Sequence, residues 1–351
     1  MKKFFLQISG IFLILSLNCF AQESRINIHD PVMIKHKEKY YLFATGFGIS
    51  VLSSPDMKNW TREEPVFSVS PQWVISIMNA YALSDTTIRS PRGGRMSMWA
   101  PDISFHNGQY YLYYSISAFG KNTSCLGLVT NKSLDPADPD FQWVDQGPVI
   151  CSRPGIDNWN AIDPNLIIGE DGHPYLTWGS FWDGLQIARL TDDMKRIHPD
   201  SEPVTIVSRK TDPDAPNPPS IPERPVDAGG NAIEAPFIIR KGDYFYYMAS
   251  FDYCCWGERS TYNVVYGRSK SVMGPYFDKE GKSMRTGCGT VLVKGDENWY
   301  AAGHNGFATI DGKDYIVFHA YDKKDKGQSK LYIFEIDWDN DGWMVMGKEI
   351  Y

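Results

Sequence analysis

Residues 233–251, IEAPFIIRKGDYFYYMASF, decide the fold, because the chain repeats their plan four more times. Glu234 stands near the head, an apolar run follows, Lys241-Gly242 turns the chain, and a Tyr- and Phe-rich run returns it. The same plan is legible in residues 29–45 (HDPVMIKHKEKYYLFAT), 100–117 (APDISFHNGQYYLYYSIS), 162–181 (IDPNLIIGEDGHPYLTWGSF) and 303–321 (GHNGFATIDGKDYIVFHAY). The polar heads are Asp30, Asp102, Asp163, Glu234 and His304. They recur roughly every 70 residues, a long period that signals a repeat architecture. Asn107-Gly108, Asp171-Gly172 and Asp311-Gly312 supply hairpin turns between the paired runs. Further strand-like runs lie between the heads, as in residues 126–130, 186–190 and 264–268. Such a unit holds a four-stranded blade with long loops, and five units account for the length. The expectation is an all-β, five-bladed β-propeller whose strand starts meet near one axis. Residues far apart in sequence then face one another across a single site.

Composition agrees with this and removes other classes. Of 351 residues, 42% are hydrophobic and 22% charged, ordinary for a globular chain. Aromatic content is 14%, which suits strands and also sugar stacking. Net charge is −7, with no basic block or zinc-finger spacing, so no nucleic-acid partner is expected. Lys2-Lys3, an apolar stretch from Phe4 to Leu17, and Cys19-Phe20-Ala21 read as a signal peptide over residues 1–21. Residues 22–351 are then a single catalytic propeller, exported to the periplasm or secreted, and expected to be a monomer. Lipidation at Cys19, giving a surface lipoprotein, is the alternative. No other stretch approaches the length of a membrane span. Export permits disulfides. The odd set Cys125, Cys151, Cys254, Cys255 and Cys288 leaves their pairing open, and Cys254-Cys255 reads either as a vicinal disulfide or as two thiols.

Two segments interrupt the repeat. Residues 73–88 read as a helix or a long loop, and the proline-rich stretch 212–227 as a loop just ahead of Glu234. Asp337 to Gly342 imitates the start of an EF-hand loop, but Lys348 stands where the twelfth ligand is needed. It is read as a hairpin turn. The sequon Asn122-Thr123-Ser124 carries no weight.

Asp30, Asp163 and Glu234 share a local grammar: an acid heads an apolar strand and a proline follows within two residues. Neighbouring, partly desolvated carboxyl groups separate their pKa values, as glycoside hydrolysis requires. The segments HDPV, WAPDI, NAIDPNLI, GSFWDG, NAIEAPFI, FDYCCWG, STYNVVYGRS, GPYFD and GHNGFA resemble glycoside hydrolase family 43, and more narrowly its arabinan endo-1,5-α-L-arabinanases. The resemblance implies an inverting hydrolase acting on arabinan or arabino-oligosaccharides. In it Asp30 is the general base, Glu234 the general acid, and Asp163 the third carboxylate that orients the acid. It places His304 beside a largely water-coordinated calcium ion. It assigns sugar contacts to Asp30, Gly120, Asn160, Ala161, Ile162, Asp163, Ser180, Phe181 and Trp182, with Phe181 or Trp182 stacking on a furanose. Trp99, Phe119 and Trp159 are further aromatic candidates, and Asp102 reads as structural. Long inserts at residues 73–95 and 212–227 favour a closed groove, which keeps an exo-acting arabinofuranosidase or β-xylosidase as the alternative. A non-catalytic carbohydrate-binding propeller is disfavoured because all three acids are present.

Overall fold

The computed structural model describes residues 25–81, 96–218 and 229–351. The signal segment and parts of both interrupting segments lie outside the described residues. Five antiparallel sheets follow one another along the chain. Blade 1 comprises Val32–His36, Lys39–Ala44, Ser50–Ser54 and Thr61–Arg62. Blade 2 comprises Ser97–His106, Gln109–Ile116, Ser124–Asn131 and Val144–Ser152, with Gly46–Phe47 added at its inner edge. Blade 3 comprises Asn165–Ile168, Pro174–Trp178, Leu185–Arg189 and Val204–Val207. Blade 4 runs from Ile233–Lys241 through Tyr244–Phe251 and Asn263–Ser269 to Thr290–Val293. Blade 5 runs from Trp299–Ile310 through Lys313–Asp322 and Gln328–Trp338 to Met344–Glu349. The first strand of each blade touches the first strand of the next, and that of blade 5 touches that of blade 1. The ring is closed, as the repeat predicts.

The strands carry little polar alternation because both of their faces are covered. Tyr110, Leu112 and Tyr114 turn toward blade 1, while Tyr111 and Tyr113 turn toward blade 3. Each gap between neighbouring blades holds a large apolar core, and a smaller cluster of Tyr262, Ala301 and Tyr321 lies between blades 4 and 5. Burying each such large side chain contributes about 1.5–3 kcal/mol. The inner hairpins are set by turn chemistry. Asn107 and Gly108 have φ of 49° and 78°, and Asp311 and Gly312 have φ of 52° and 78°. A two-residue hairpin loop needs two left-handed residues, which Asn, Asp and Gly tolerate best.

The chain's start closes the ring. Asn27 bridges Lys330, and the Leu331 N–H donates to the Ile26 carbonyl at 3.0 Å, on the third strand of blade 5. A helix occupies Gln72–Tyr81. Residues 339–343 form the expected hairpin turn, with the Asp339 carboxylate accepting the N–H groups of Asp341 and Trp343. Cys125 and Cys151 face each other across two strands of blade 2 and are disulfide-bonded. Cys254 and Cys255 are bonded to each other, and Cys288 is free.

Candidate active site

The five heads converge, but not in the register that aligning the acids suggests. Positive φ occurs at Asp30 (53°), Ala100 (44°), Asp163 (60°), Ala235 (55°) and His304 (50°), once at the head of each blade. These are the equivalent positions. Glu234 stands one residue before its hinge, and Asp102 two residues after. In blades 2, 4 and 5 the strand pairing skips at this point, between Trp99 and Asp102, Glu234 and Phe237, and Gly303 and Gly306. Bulges of this kind re-aim side chains next to functional sites. Each left-handed non-glycine residue costs on the order of 1–3 kcal/mol and persists only where its surroundings over-determine it.

Those surroundings repeat as well. At each hinge the backbone N–H donates to a side chain on a neighbouring blade. Asp30 N–H donates to His319 Nδ1 at 3.2 Å, Ala100 to Thr45 Oγ1 at 2.9 Å, Asp163 to Ser115 Oγ at 2.8 Å, and His304 to Ser250 Oγ at 2.8 Å. Each acceptor stands six residues after the start of the return strand of the preceding blade, after Lys39, Gln109, Tyr244 and Lys313. In blade 3 the matching residue is Gly179, five after Pro174, and it offers no side chain. A Cβ there would lie 2.7 Å from the Gly184 carbonyl oxygen. The Ala235 N–H is taken instead by Asp163 Oδ2 at 3.1 Å. Asp163 is thereby tied to the backbone beside Glu234.

Asp30 is surrounded by imidazoles. His304 Nδ1 is 3.1 Å from Asp30 Oδ1, with His319 Nδ1 at 3.6 Å and His29 Nδ1 at 3.8 Å. The Thr45 hydroxyl donates to the other oxygen, Oδ2. Burial alone would raise the Asp30 carboxyl. The His304 imidazole, then His29 and His319, overcome it and hold the group far below the usual carboxylate range. His319 accepts the Asp30 N–H and is fully buried, and burial, then His29, keeps its own pKa well below the ordinary value. His29, Asp30 and His319 are the one trio of ligand-type side chains grouped within 4.8 Å among the described residues. With His319 Nδ1 already engaged, the trio reads as support for an ionised Asp30.

Glu234 has a different setting. The Tyr262 phenol donates to Oε1 at 2.7 Å and the Ser180 hydroxyl to Oε2 at 2.9 Å. No cationic side chain forms an ion pair with it among the described residues. Burial, then the charges of Glu234 and Asp30, push the Asp163 carboxyl well above its ordinary range. Asp102 is a staple between blades: its Oδ2 accepts the Leu166 N–H at 2.9 Å. Burial pushes its pKa up to about 7 against that hydrogen bond.

The acids open into a cavity of about 200 Å³. Gly120, Asn160, Ile162, Ser180, Phe181 and Trp182 line it together with Asp30, Asp163, Glu234 and His304. Phe181 and Trp182 both have positive φ, of 55° and 41°. Their turn is fastened to the acid's strand by Phe181 N–H to the Ile233 carbonyl at 2.8 Å and by Asn231 Nδ2 to the Trp182 carbonyl at 2.8 Å. Ala161 is fully buried in the core between blades 2 and 3 and does not line the cavity. Among the aromatic candidates Trp99 and Phe119 line it, whereas Trp159 packs edge-on against Trp178. Sequence reasoning missed His29, Thr45, Tyr262, His319 and the wall formed by Cys254-Cys255. The recurrence of Thr45, Ser115, Ser250 and His319 at one place in the repeat is the signal that could have found two of them.

The chain matches the sequence profile of glycosyl hydrolases family 43 over residues 24–344. It is 44% identical to an extracellular exo-α-(1→5)-L-arabinofuranosidase of Cellvibrio japonicus, over 93% of this chain and 88% of that protein. It is 39% identical to an extracellular endo-α-(1→5)-L-arabinanase of Bacillus subtilis, over 90% and 86%. The crystal structure of an exo-1,5-α-L-arabinanase from a bovine ruminal metagenomic library superposes with a TM-score of 0.80 at 44% identity, covering 92% of this chain and 98% of that one. Closed five-bladed ring, facing acids and relatives agree: the chain is a glycoside hydrolase belonging to family 43, among its arabinanases and arabinofuranosidases.

Proposed function

We propose that the chain hydrolyses α-1,5-L-arabinofuranosidic bonds of arabinan and arabino-oligosaccharides with inversion at the anomeric carbon. The observation that carries this is the unequal setting of two carboxyl groups on one cavity. Asp30 is held ionised chiefly by the His304 and His29 imidazoles, while Glu234 sits between two hydroxyls beside Asp163, whose pKa is raised by burial and by the neighbouring carboxylates. Asp30 takes a proton from water as that water attacks the anomeric carbon. Glu234 gives a proton to the departing sugar oxygen. Asp163, fixed by the Ala235 N–H, shapes the field at Glu234. Phe181 and Trp182 offer apolar faces for a furanose ring, and Asn160 Oδ1, buried with no partner among the described residues, is an acceptor for a sugar hydroxyl.

For the mode of attack the resemblance in sequence suggests endo cleavage, as the Bacillus relative's name also does. Two observations favour exo release. Both relatives at 44% identity are named exo-acting. The described residues flanking the proline-rich stretch are tied down two positions from Asn160 of the cavity wall, with Asn217 Nδ2 donating to Asn158 Oδ1 at 2.7 Å and Gly230 N–H to the Pro218 carbonyl at 2.6 Å. We therefore take exo release as the reading. Product analysis on linear arabinan tests it: a single short product from the start is expected, and an early ladder of oligosaccharides means endo cleavage. Asp30→Ala and Glu234→Ala should each lose about 10²–10⁴ in turnover. Near-normal activity in either would overturn the assignment.

The same reading includes a hydrated calcium ion beside His304. The residues fit it: Asn305 Oδ1 is buried with no partner among the described residues, and Asp102, Asp163, His304 and Asn305 line one small cavity on the axis. A hard cation takes oxygen donors, so Asn305 and water would hold it, with His304 alongside. Bound there, it would supply positive charge that favours ionised carboxylates. Export is part of the proposal too, on the basic and apolar start of the chain and on two relatives named extracellular.

A further inference from the structure

We propose that Tyr262 is a positioning residue for the acid: it occupies the inner oxygen of Glu234 and so keeps the transferable proton on the oxygen that faces the sugar. This rests on the reading of Glu234 as general acid. Ser180 and Glu234 line the cavity, whereas Tyr262 does not, and its side chain is fully buried behind them. The two carboxyl oxygens therefore differ. Oε1 points inward to the phenol at 2.7 Å, and Oε2 lies on the Ser180 side at 2.9 Å. A buried phenol hydrogen directed at Oε1 disfavours the acid's proton there, whereas the Ser180 hydroxyl, on the cavity wall, can turn and accept from a proton on Oε2. The acid's proton is left on Oε2, where a glycosidic oxygen can receive it. When that proton leaves, the new carboxylate has both hydroxyls as donors, and the hydrogen bond from Tyr262 strengthens as charge develops.

The fold holds the phenol in place from both ends. Tyr262 immediately precedes the third strand of blade 4, and its carbonyl accepts the Ala302 N–H of blade 5 at 3.1 Å. Its ring lies across Gly303, where a Cβ would come within 2.2 Å of a ring carbon. The glycine before His304 is thus explained by the ring. Burial, then the charges of Glu234, Asp163 and Asp30, raise the phenol's pKa well above its ordinary value, so it remains a donor throughout the working range.

Tyr262→Phe removes one oxygen and keeps the ring. The test compares linear arabinan with a 4-nitrophenyl arabino-oligosaccharide, whose leaving group departs without protonation. We expect kcat on arabinan to fall about tenfold or more with KM little changed, and kcat on the aryl substrate to stay within about twofold. The ratio of the two rates comes from one preparation and does not depend on its folded fraction. Equal losses on both substrates, or no loss on either, would overturn the role of Tyr262. Glu234→Gln is measured in parallel. A large loss on arabinan with a small one on the aryl substrate upholds the acid itself. If Glu234→Gln loses both equally, the reading of Glu234 fails, whatever Tyr262→Phe does.

Discussion

Asp163 gives the sharpest separation between scaffold and chemistry, because one carboxyl group serves both. Its Oδ2 stands in for the side chain that blade 3 lacks at Gly179, accepting the Ala235 N–H at 3.1 Å. Asp163→Ala strands that N–H in a buried place, which costs about 1–3 kcal/mol. Asp163→Asn keeps an acceptor oxygen and avoids this loss. Both remove the ionisable group. In the wild type its pKa is raised by burial and by Glu234 and Asp30. A carboxyl with a raised folded pKa contributes stability that is present below its unfolded value, near 3.9, and is lost as pH rises through the folded value. Asp163→Asn should therefore equal the wild type near pH 4 and become the more stable protein toward pH 8. Asp163→Ala should lie about 1–3 kcal/mol below Asp163→Asn at every pH. Denaturant unfolding across pH measures all three, and both variants should lose most of their activity on arabinan. If Asp163→Ala and Asp163→Asn unfold together, and neither gains on the wild type with pH, the reasoning fails.

Asp102 provides a control outside the chemistry. Burial holds its pKa near 7, so the wild type loses stability between about pH 4 and 7 on its account, on the order of a few kcal/mol. Asp102→Asn should keep the Leu166 hydrogen bond, remove that loss and be the more stable protein at pH 8 by denaturant unfolding. A less stable Asp102→Asn at that pH would count against the staple. Chelation should lower activity or melting temperature, with calcium restoring it, and His304→Ala should no longer respond to added calcium. Full activity and melting temperature after exhaustive chelation, with no metal by elemental analysis, would remove the ion from the account.

The propeller was legible in the sequence because its signal is a period: five head–strand–turn–strand sentences cannot be laid out in many ways. What slipped was the register of the heads. Aligning the acids put Asp102 and Glu234 at the same place as Asp30, whereas the backbone aligns Asp30-Pro31, Ala100-Pro101, Asp163-Pro164 and Ala235-Pro236. A residue followed by proline marks the hinge in four of the five blades, and the acid is free to sit a residue or two away. Alternation explains another difference. Within Trp159–Asp163, Asn160, Ile162 and Asp163 reach the cavity, while Trp159 and Ala161 pack into the core between blades. Tyr262 meets Glu234 within blade 4, and no pattern in the sequence marks it. His319 repeats the place of Thr45 and Ser115 but reaches the Asp30 carboxylate across the boundary between blades 5 and 1. That contact exists only once the ring closes. The pairing of Cys125 with Cys151 is hidden in the same way until the strand order within blade 2 is known.

The central claim is that Asp30 activates water on one side of the sugar while Glu234 protonates the leaving group on the other. Proton NMR of the first sugar released from linear arabinan, read before mutarotation, tests this most directly. Inversion puts the β-anomer first, and that is the expected result. First release of the α-anomer would mean a covalent intermediate on a carboxylate, and would contradict the roles assigned to Asp30 and Glu234.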